Sequence, residues 1–269
     1  MAYSDPARLT PDLVSDALRL SAEAGWNQTK EDWSVFVTHG IAFGIQHDGA
    51  LVGTAAMLPY GAGFGFVSMV LVTQAHRHHG LASRLLGTCL ETLRARGLTP
   101  VLDATPAGQP VYEKLGFHVM FALERWEGKA SGVAAPAPVP TAEDLAPFDA
   151  AAFGAERNFL LRSFLSRPGT QATVQADGFA IARPGFRATQ LGPVVAHSAK
   201  HAVALLRTLL DSVTGLVFLD VPTRWTCVAR FLETNGFRRQ RPFTRMALDC
   251  TTPFGNPARL FAAAGPEFG

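Results

Sequence analysis

Residues 70–82 have the sequence VLVTQAHRHHGLA, in which an apolar run, a polar loop and the start of a helical pattern follow one another. The apolar run that ends at Thr73 predicts a buried strand, and the residues from about Gly80 to Arg96 predict a helix that stops at Gly97. Backbone N–H groups at the start of a helix have no partner inside the helix, and the helix dipole makes that end partly positive. The loop between this strand and this helix is therefore a candidate for binding an anion such as a phosphate.

Three residues of the loop suit a phosphate. Gly80 and Ala82 have no bulk that would block its approach, and Arg77 supplies a positive charge. Their spacing, Arg-x-x-Gly-x-Ala, resembles the motif that follows the fourth strand in the GNAT N-acetyltransferases, where it holds the pyrophosphate of acetyl-CoA. An ordinary turn between a strand and a helix is the alternative. The resemblance implies a cofactor-binding set that comprises Val70, Leu71, Val72, Arg77, His78, His79, Gly80, Leu81, Ala82 and Ser83.

A second motif follows at residues 111–117, which have the sequence VYEKLGF. It resembles the short GNAT helix that ends in Gly-Phe and whose tyrosine often faces the cofactor sulfur, which implies that Tyr112 is catalytic. Attack of an amine on a thioester releases a CoA thiolate that must be protonated or stabilised. A phenol, with a pKa of about 10, is a proton donor at neutral pH. The alternative is that Tyr112 is a half-buried aromatic residue of a short amphipathic helix.

Composition divides the chain into two halves. The segment GKASGVAAPAPVPTAEDLA, which begins at Gly128, is rich in Ala, Pro and small residues and cannot form a core, so it predicts an extended linker. We therefore predict an acetyltransferase domain at residues 1–127, a Pro/Ala-rich linker at 128–140 and a second domain at 141–269. Each half has the size of a common single domain.

The first half predicts an ordered series of helices and strands. Two helical segments come first, and Thr10 followed by Pro11 fits the start of the first one. Two apolar runs on either side of His47-Asp48-Gly49 predict a β-hairpin. A strand, the long helix, a strand, a short helix and a last strand follow. This order predicts an α/β fold of the α+β type, in which helices flank a mixed sheet.

The second half repeats this order weakly: LVFLDVPTRWTCVARFLETNGFRR echoes PVLDATPAGQPVYEKLGFHV. It resembles the C-terminal half of YitH-like tandem GNAT proteins. Where the phosphate loop would lie, however, residues 195–202 (VAHSAKHA) have no glycine and no arginine at the right spacing, and Leu232 stands where Tyr112 would. We predict two tandem GNAT-like domains, the second degenerate in its cofactor motifs. It either shapes the acceptor pocket or buries an open edge of the first sheet.

The acceptor amine must lose a proton before it attacks, and three carboxylates are candidates for the base, namely Glu23, Asp103 and Asp32. A water chain that removes the proton is a further option. Asp103 ends a strand beside the motif helix, where it equally suits a cap of that loop. Asn27 lies between the first two helices, where GNAT proteins often close over the acceptor, and its alternative role is a helix cap or turn residue. We predict that Asp103 is catalytic and that Asn27 and Glu23 bind the substrate.

Composition also limits the class of protein. Hydrophobic residues make up 48% of the chain and charged residues 17%, so the chain can bury large cores and is not disordered. The net charge of +2 and the lack of a dense basic tract argue against a nucleic-acid partner. The sequence predicts no signal peptide and no membrane span. Its distant cysteines, Cys89, Cys227 and Cys250, predict packing residues in a reducing compartment rather than disulfides or a zinc site.

The leading hypothesis is a cytoplasmic N-acetyltransferase that uses acetyl-CoA as cosubstrate, needs no metal and acetylates a small primary amine, as a monomer or homodimer. His76, His78 and His79 do not change this, because neighbours on one loop seldom converge on one ion. No acidic run exists that would recognise a polybasic tail, which favours a small acceptor. The alternative is a sensor or scaffold that binds acyl-CoA without turnover and uses its second half to bind a partner.

Overall fold

The structure of the protein is a computed structural model that describes residues 2–134 and 138–269. Contacts between residues divide the chain into two compact units, Met1–Leu102 and Asp103–Gly269. No helix within the described ranges is long and apolar enough to cross a membrane.

The first unit follows the predicted order of elements. These are β1 (Ala7–Arg8), α1 (Val14–Glu23), α2 (Lys30–His39), β2 (Ile41–His47), β3 (Ala50–Tyr60), β4 (Phe64–Val72), α3 (Leu81–Arg94) and β5 (Thr99–Ala104), whose last two residues belong to the second unit. Asp48 and Gly49 both have positive φ, 51° and 79°, as a tight hairpin turn requires. The predicted hairpin is therefore confirmed as β2 and β3, which pair antiparallel. Gly97 has φ 67° and donates its N–H to the Arg94 carbonyl oxygen, so it ends the helix as predicted.

The strands of the first unit pair in the order β1-β2-β3-β4-β5. Neighbours are antiparallel except for β4 and β5, which are parallel because α3 connects them. The helix packs one apolar stripe on β3 and β4, and that stripe consists of Leu81, Leu85, Leu86, Cys89, Leu90 and Leu93. Because the sheet mixes both pairing types and carries helices, the predicted fold class is confirmed.

The second unit begins with a short helix and a strand and then repeats the order of the first unit: two helices, three strands, a helix and a strand. Its elements are α4 (Gln109–Lys114), β6 (Phe117–Ser131), α5 (Ala142–Phe153), α6 (Asn158–Leu165), β7 (Gln171–Gln175), β8 (Gly178–Arg183), β9 (Thr189–Ala196), α7 (Ala199–Ser212), β10 (Thr214–Pro222), α8 (Thr226–Thr234), β11 (Arg238–Leu248) and β12 (Leu260–Ala262). The strands pair in the order β11-β6-β10-β9-β8-β7, and β12 pairs with β9. β9 and β10 are parallel and α7 connects them, as α3 connects β4 and β5. The predicted duplication is therefore visible in the order and direction of the strands.

The last strand of the first sequence half, β6, lies inside the second unit. It pairs antiparallel with both β10 and β11, and its Trp126 is buried in the core of that unit. Contacts therefore divide the chain after Leu102, whereas the sequence repeat divides it near residue 127. The first residues of the predicted linker, Gly128–Ser131, are strand rather than linker, because their backbone pairs with β10 and the Phe237 ring lies over Gly128. Residues 135–137 of that linker lie outside the described residues.

Two buried ion pairs join the two sequence copies within this unit. Arg125 on β6 donates from Nε and Nη2 to the two carboxylate oxygens of Asp220, both at 2.8 Å. Arg245 on β11 does the same to Asp103, again at 2.8 Å. The pairs are equivalent, because Arg125 follows Phe117 by the same number of residues as Arg245 follows Phe237. Each copy thus supplies the arginine for the aspartate of the other.

The three cysteines differ in exposure. Cys89 is buried, and burial raises the pKa of its thiol to about 12, while Cys250 is half-buried. Cys227 is exposed, because it precedes the buried face of α8 that Val228 and Leu232 form. The prediction of a packing residue is therefore wrong for Cys227.

Candidate functional site

The loop between β4 and α3 presents free backbone donors. Gly80 is the N-cap of α3 with φ 72°, in the left-handed region where glycine is unstrained, and it offers no capping side chain. No described residue accepts a hydrogen bond from the N–H groups of Leu81, Ala82 or Ser83. A Cβ added at Gly80 would meet no atom within 4 Å. The first turn of α3 is therefore open to an anion.

Side chains of the loop hold its shape. His79 donates from Nδ1 to the Arg77 carbonyl oxygen at 2.8 Å, and Arg77 donates from Nε to the Val72 carbonyl oxygen at 3.3 Å. His78 adopts φ 66°, a second left-handed residue two positions before Gly80. Such turns make concave sets of N–H groups. Among the described residues, no three His, Cys, Asp or Glu side chains converge as metal ligands would.

The edge of β4 that leads to this loop is also open. One edge of β4 pairs with β3 along its length, while β5 pairs with the other edge only at Phe64–Phe66. No described strand pairs with the rest of that edge, Val67–Val72. A strand edge with free N–H and C=O groups can bind an extended ligand that carries amides. The predicted residues Val70, Leu71 and Val72 lie on this edge, next to the loop.

A β-bulge shapes the open edge, and sequence reasoning missed it. Ala56 pairs with Ser68 and Thr54 with Leu71, so β4 has one residue more than β3 at this point. Met69 has φ 55°, and Thr54 fixes it by donating from Oγ1 to its carbonyl oxygen at 2.9 Å. A left-handed conformation at a buried methionine has no sequence signal, because the residues that favour this region are glycine, asparagine, aspartate and histidine.

Glu23 lies in a cleft of about 560 Å³ in the first unit. Its Oε1 accepts the N–H of Gln74 at 2.6 Å, which ties the end of α1 to the start of the loop. Arg19 lines the same cleft and donates to the Leu51 carbonyl oxygen at 2.9 Å. Thr73 also lines it, and its buried Oγ1 has no hydrogen-bond partner among the described residues. The cleft thus offers one carboxylate and one guanidinium to a polar ligand, and the Thr73 hydroxyl is buried in its wall.

Asn27 and Asp32 lie in and after the connection between α1 and α2. Asn27 is buried, and it is not the cap of α2, because Thr29 holds that position. Asp32 closes a capping box, in which its Oδ2 accepts the Thr29 N–H at 2.8 Å. The carboxylate of Asp32 is buried and already has a structural role as a cap.

Tyr112 belongs to the second unit, on α4. Its ring lies 5.7 Å from that of Phe117, centre to centre, and packs closely on Gly108. Its hydroxyl has no hydrogen-bond partner in residues 2–134 and 138–269. Burial raises the pKa of Tyr112, so the phenol keeps its proton at neutral pH. The matching Leu232 of the second copy is fully buried and has no polar group to donate.

Asp103 is the other predicted catalytic residue, and its side chain is only 1% exposed. Burial raises the pKa of the Asp103 carboxyl, and the Arg245 guanidinium opposes that rise. Both carboxylate oxygens accept hydrogen bonds from Arg245. A base must have an oxygen free to take a proton, so this pairing gives Asp103 a structural role that has to be separated from any catalytic one.

The start of α7, which corresponds to the start of α3, is closed. Ser198 is its N-cap, and the Ser198 side chain accepts the N–H of His201. The first copy has a glycine at that place and no side-chain cap. The difference agrees with the sequence, which keeps the phosphate-loop motif only in the first copy.

Both halves of the chain match sequence profiles of one protein family. Residues 10–117 match the profile of the acetyltransferase (GNAT) family, and residues 145–262 match that of an acetyltransferase (GNAT) domain. The N-acetyltransferase YitH of Bacillus subtilis (strain 168), itself uncharacterised, is 25% identical over 247 residues, which are 86% of this chain and 87% of YitH.

Two solved structures share the fold. A protein from Pyrococcus horikoshii superposes with a TM-score of 0.81 at 18% identity, over 99% of this chain and 96% of its own. A tandem GNAT protein from the clavulanic acid biosynthesis pathway gives 0.60 at 16% identity, over 91% and 98% of the two chains. At these identities the likeness concerns the fold alone, and the family follows from the two sequence profiles and the relative. The chain is a tandem member of the GNAT N-acetyltransferase superfamily and a GNAT-type acyltransferase.

Proposed function

We propose that the protein transfers an acetyl group from acetyl-CoA to the primary amine of a small molecule by direct attack of the amine on the thioester. One observation carries the proposal. The first copy combines an uncapped helix start at Gly80 with an unpaired strand edge at Val67–Val72, and the two are continuous. The diphosphate and the amide-bearing arm of one acyl-CoA match these two features in order.

The residues of the loop and edge would bind the donor as follows. The N–H groups of Leu81, Ala82 and Ser83 are available to donate to the phosphates, with the charge of Arg77 nearby. The edge residues Val70 and Val72 supply main-chain groups for the arm. The thioester supplies the activated acetyl group when it is bound.

We propose Tyr112 as the donor of the proton that the departing thiolate takes up. Its hydroxyl is free of other partners among the described residues, and its pKa is raised by burial. Both features suit a general acid that must be protonated at neutral pH.

For the acceptor, we propose that Glu23 contributes to binding through its cleft, where a carboxylate suits an amine. We propose that Asn27, in the connection between α1 and α2, also binds the substrate. Asp103 stays a prediction for the base.

The test is release of free thiol from acetyl-CoA in the presence of a panel of small amines, with mass spectrometry of the products. Acetylated product and amine-dependent thiol release support the proposal. Binding of acetyl-CoA without amine-dependent release would instead support an acyl-CoA-binding sensor. Longer acyl-CoA donors in the same assay test the preference for acetyl.

A further inference from the structure

The second unit contains a slot that corresponds to the open edge of β4. β9 pairs with β8 along one edge, and β10 pairs with its other edge only at Thr189 and Gln190. Beyond Gln190 the two parallel strands are not paired with each other, just as β4 and β5 are not paired beyond Phe66.

The bulge is repeated as well, which fixes the correspondence between the copies. Ala182 pairs with Leu191 and Ala180 with Val194, so β9 has one residue more than β8 at this place. The same step occurs in the first unit between β3 and β4. Gly192 stands in the bulge of β9 where Met69 stands in β4.

A segment of the chain itself lies in this second slot. β12 pairs antiparallel with β9, with Leu260 opposite Val195 and Ala262 opposite Val194. The next residue, Ala263, donates its N–H to the Asp220 carbonyl oxygen of β10 at 2.9 Å. Because β8 covers the other edge of β9, this segment lies between β9 and β10. We call Leu260–Phe268 the C-terminal segment.

The side chains of the segment explain its close fit. Residues 262–264 are three alanines, which are fully buried and let the backbone approach both strands. The carbonyl oxygen of Ala263 lies so close to Gly192 that a Cβ there would be 1.9 Å from it. Ala263 also packs with Leu123 and Phe243 in a small apolar cluster.

Polar contacts lock both ends of the segment. Trp225 donates from Nε1 to the Leu260 carbonyl oxygen at 2.6 Å, and its ring stacks on Phe261 at 4.1 Å. Arg183 donates to Glu267 at 2.9 Å and to the Ala264 carbonyl oxygen at 2.6 Å.

A second arginine holds the far end: Arg157 donates to the carbonyl oxygens of Phe268 and Gly269 at 3.2 and 2.9 Å. Both arginines are buried, so these contacts are charge-assisted and shielded from water.

We infer that the C-terminal segment is the permanent occupant of the second copy's slot, an extended, small-residue peptide in the place where the first copy leaves its strand edge free. The second copy therefore takes no acyl-CoA, and its loss of the loop motif follows from having a peptide as its built-in ligand. The occupancy of the slot by the segment does not depend on the proposed acetyl transfer.

Amide hydrogen exchange of the full chain, without acetyl-CoA, tests this directly. The amides of residues 194–196 and 260–268 should be protected together, because these are the parts of β9 and of the segment that pair with each other. Trp225→Phe keeps the stacked ring and removes the N–H donor, and Glu267→Gln keeps the shape and removes the charge. Each should speed exchange of both stretches by about tenfold or more, because Trp225→Phe removes the donor to the Leu260 carbonyl oxygen and Glu267→Gln removes the charge that pairs with the buried Arg183 guanidinium. Exchange of residues 64–72 in the first unit should not change.

Glu143→Gln is the matched control, because its ion pair with Arg162 is exposed and belongs to the same unit. It should leave exchange of both stretches unchanged. Faster exchange of 260–268 alone, with 194–196 still protected, would overturn the inference, because the segment would then not cover β9. Calorimetry on the wild-type chain should give one acetyl-CoA per chain, and two sites would also overturn it.

Discussion

Breaking the Asp103–Arg245 pair should cost far more stability than breaking an ion pair at the surface. In Arg245→Met the Asp103 carboxylate stays buried, at 1% exposure, and loses both donors. Removal of one partner from a buried pair costs about 3–5 kcal/mol, because the other charge is left uncompensated. At about 2–4 °C per kcal/mol for a chain of this size class, the melting temperature should fall by roughly 6–20 °C.

Urea unfolding, monitored by circular dichroism, measures the loss of unfolding free energy, and two further variants serve as references. Arg238→Met lies on the same strand, but its side chain is 81% exposed where it pairs with Glu127, so its cost should be within about 1 kcal/mol. The double variant Asp103→Leu with Arg245→Met removes both charges and should recover most of the lost stability. A loss below about 1 kcal/mol in Arg245→Met would refute the buried-pair reasoning.

The pH dependence of Arg245→Met has a defined sign. Burial raises the pKa of Asp103, and removal of the guanidinium that opposes the rise should raise it further. A carboxyl with a raised folded-state pKa favours the folded state below its unfolded pKa, and that advantage is lost as the pH rises through the folded pKa. The loss of unfolding free energy in Arg245→Met, relative to the wild-type chain, should therefore be smaller at acidic pH than at pH 8. A deficit that grows on acidification would contradict this.

The same double variant separates structure from catalysis at Asp103. If Asp103 only holds Arg245, the double variant should regain kcat together with stability. If Asp103 is the base, kcat should stay about 10²–10⁴-fold low although the chain is stable again.

Three further predictions concern the site and the chain length. Gly80→Glu should abolish acetyl-CoA binding in calorimetry, because the new carboxylate would fill the phosphate position and repel the phosphates. Gly80→Ala should keep binding and lower the free energy of unfolding by only about 1–2 kcal/mol, because alanine is strained at the positive φ of this position. Unchanged affinity in Gly80→Glu would mean that the loop does not hold the phosphates. Tyr112→Phe should lower kcat by about tenfold or more at near-constant acetyl-CoA affinity. A wild-type rate in this variant would mean that Tyr112 is only a packing residue. Truncation after Trp126 should give a poorly soluble product, because β6 loses the strands that cover both of its edges, and a soluble, active fragment would contradict this.

Local sequence signals were sufficient to predict the helices and strands of the first unit and the loop between β4 and α3. Asp48-Gly49 and Gly97 act through their own backbone angles, so their turns could be predicted from a few residues. The strands that pair with β6 could not be predicted, because the two copies end in similar strands and the sequence does not say which strand pairs with which. The Asp103–Arg245 pair spans 142 residues, and no local pattern links two such positions.

The reciprocal ion pairs between the two copies are a physical reason to expect that the first copy depends on the second, although the second lacks the cofactor motifs. Arg125 comes from the first copy and is buried, so it must have Asp220 from the second as its counter-charge. Asp220 is further fixed by Gln190, which donates from Nε2 at 2.9 Å, and its backbone carbonyl accepts from Ala263 of the C-terminal segment. An empty slot at this point would leave that carbonyl and the edge of β9 unsatisfied in the interior of the unit. The peptide that fills the slot therefore completes the strand on which the buried arginine of the first copy depends.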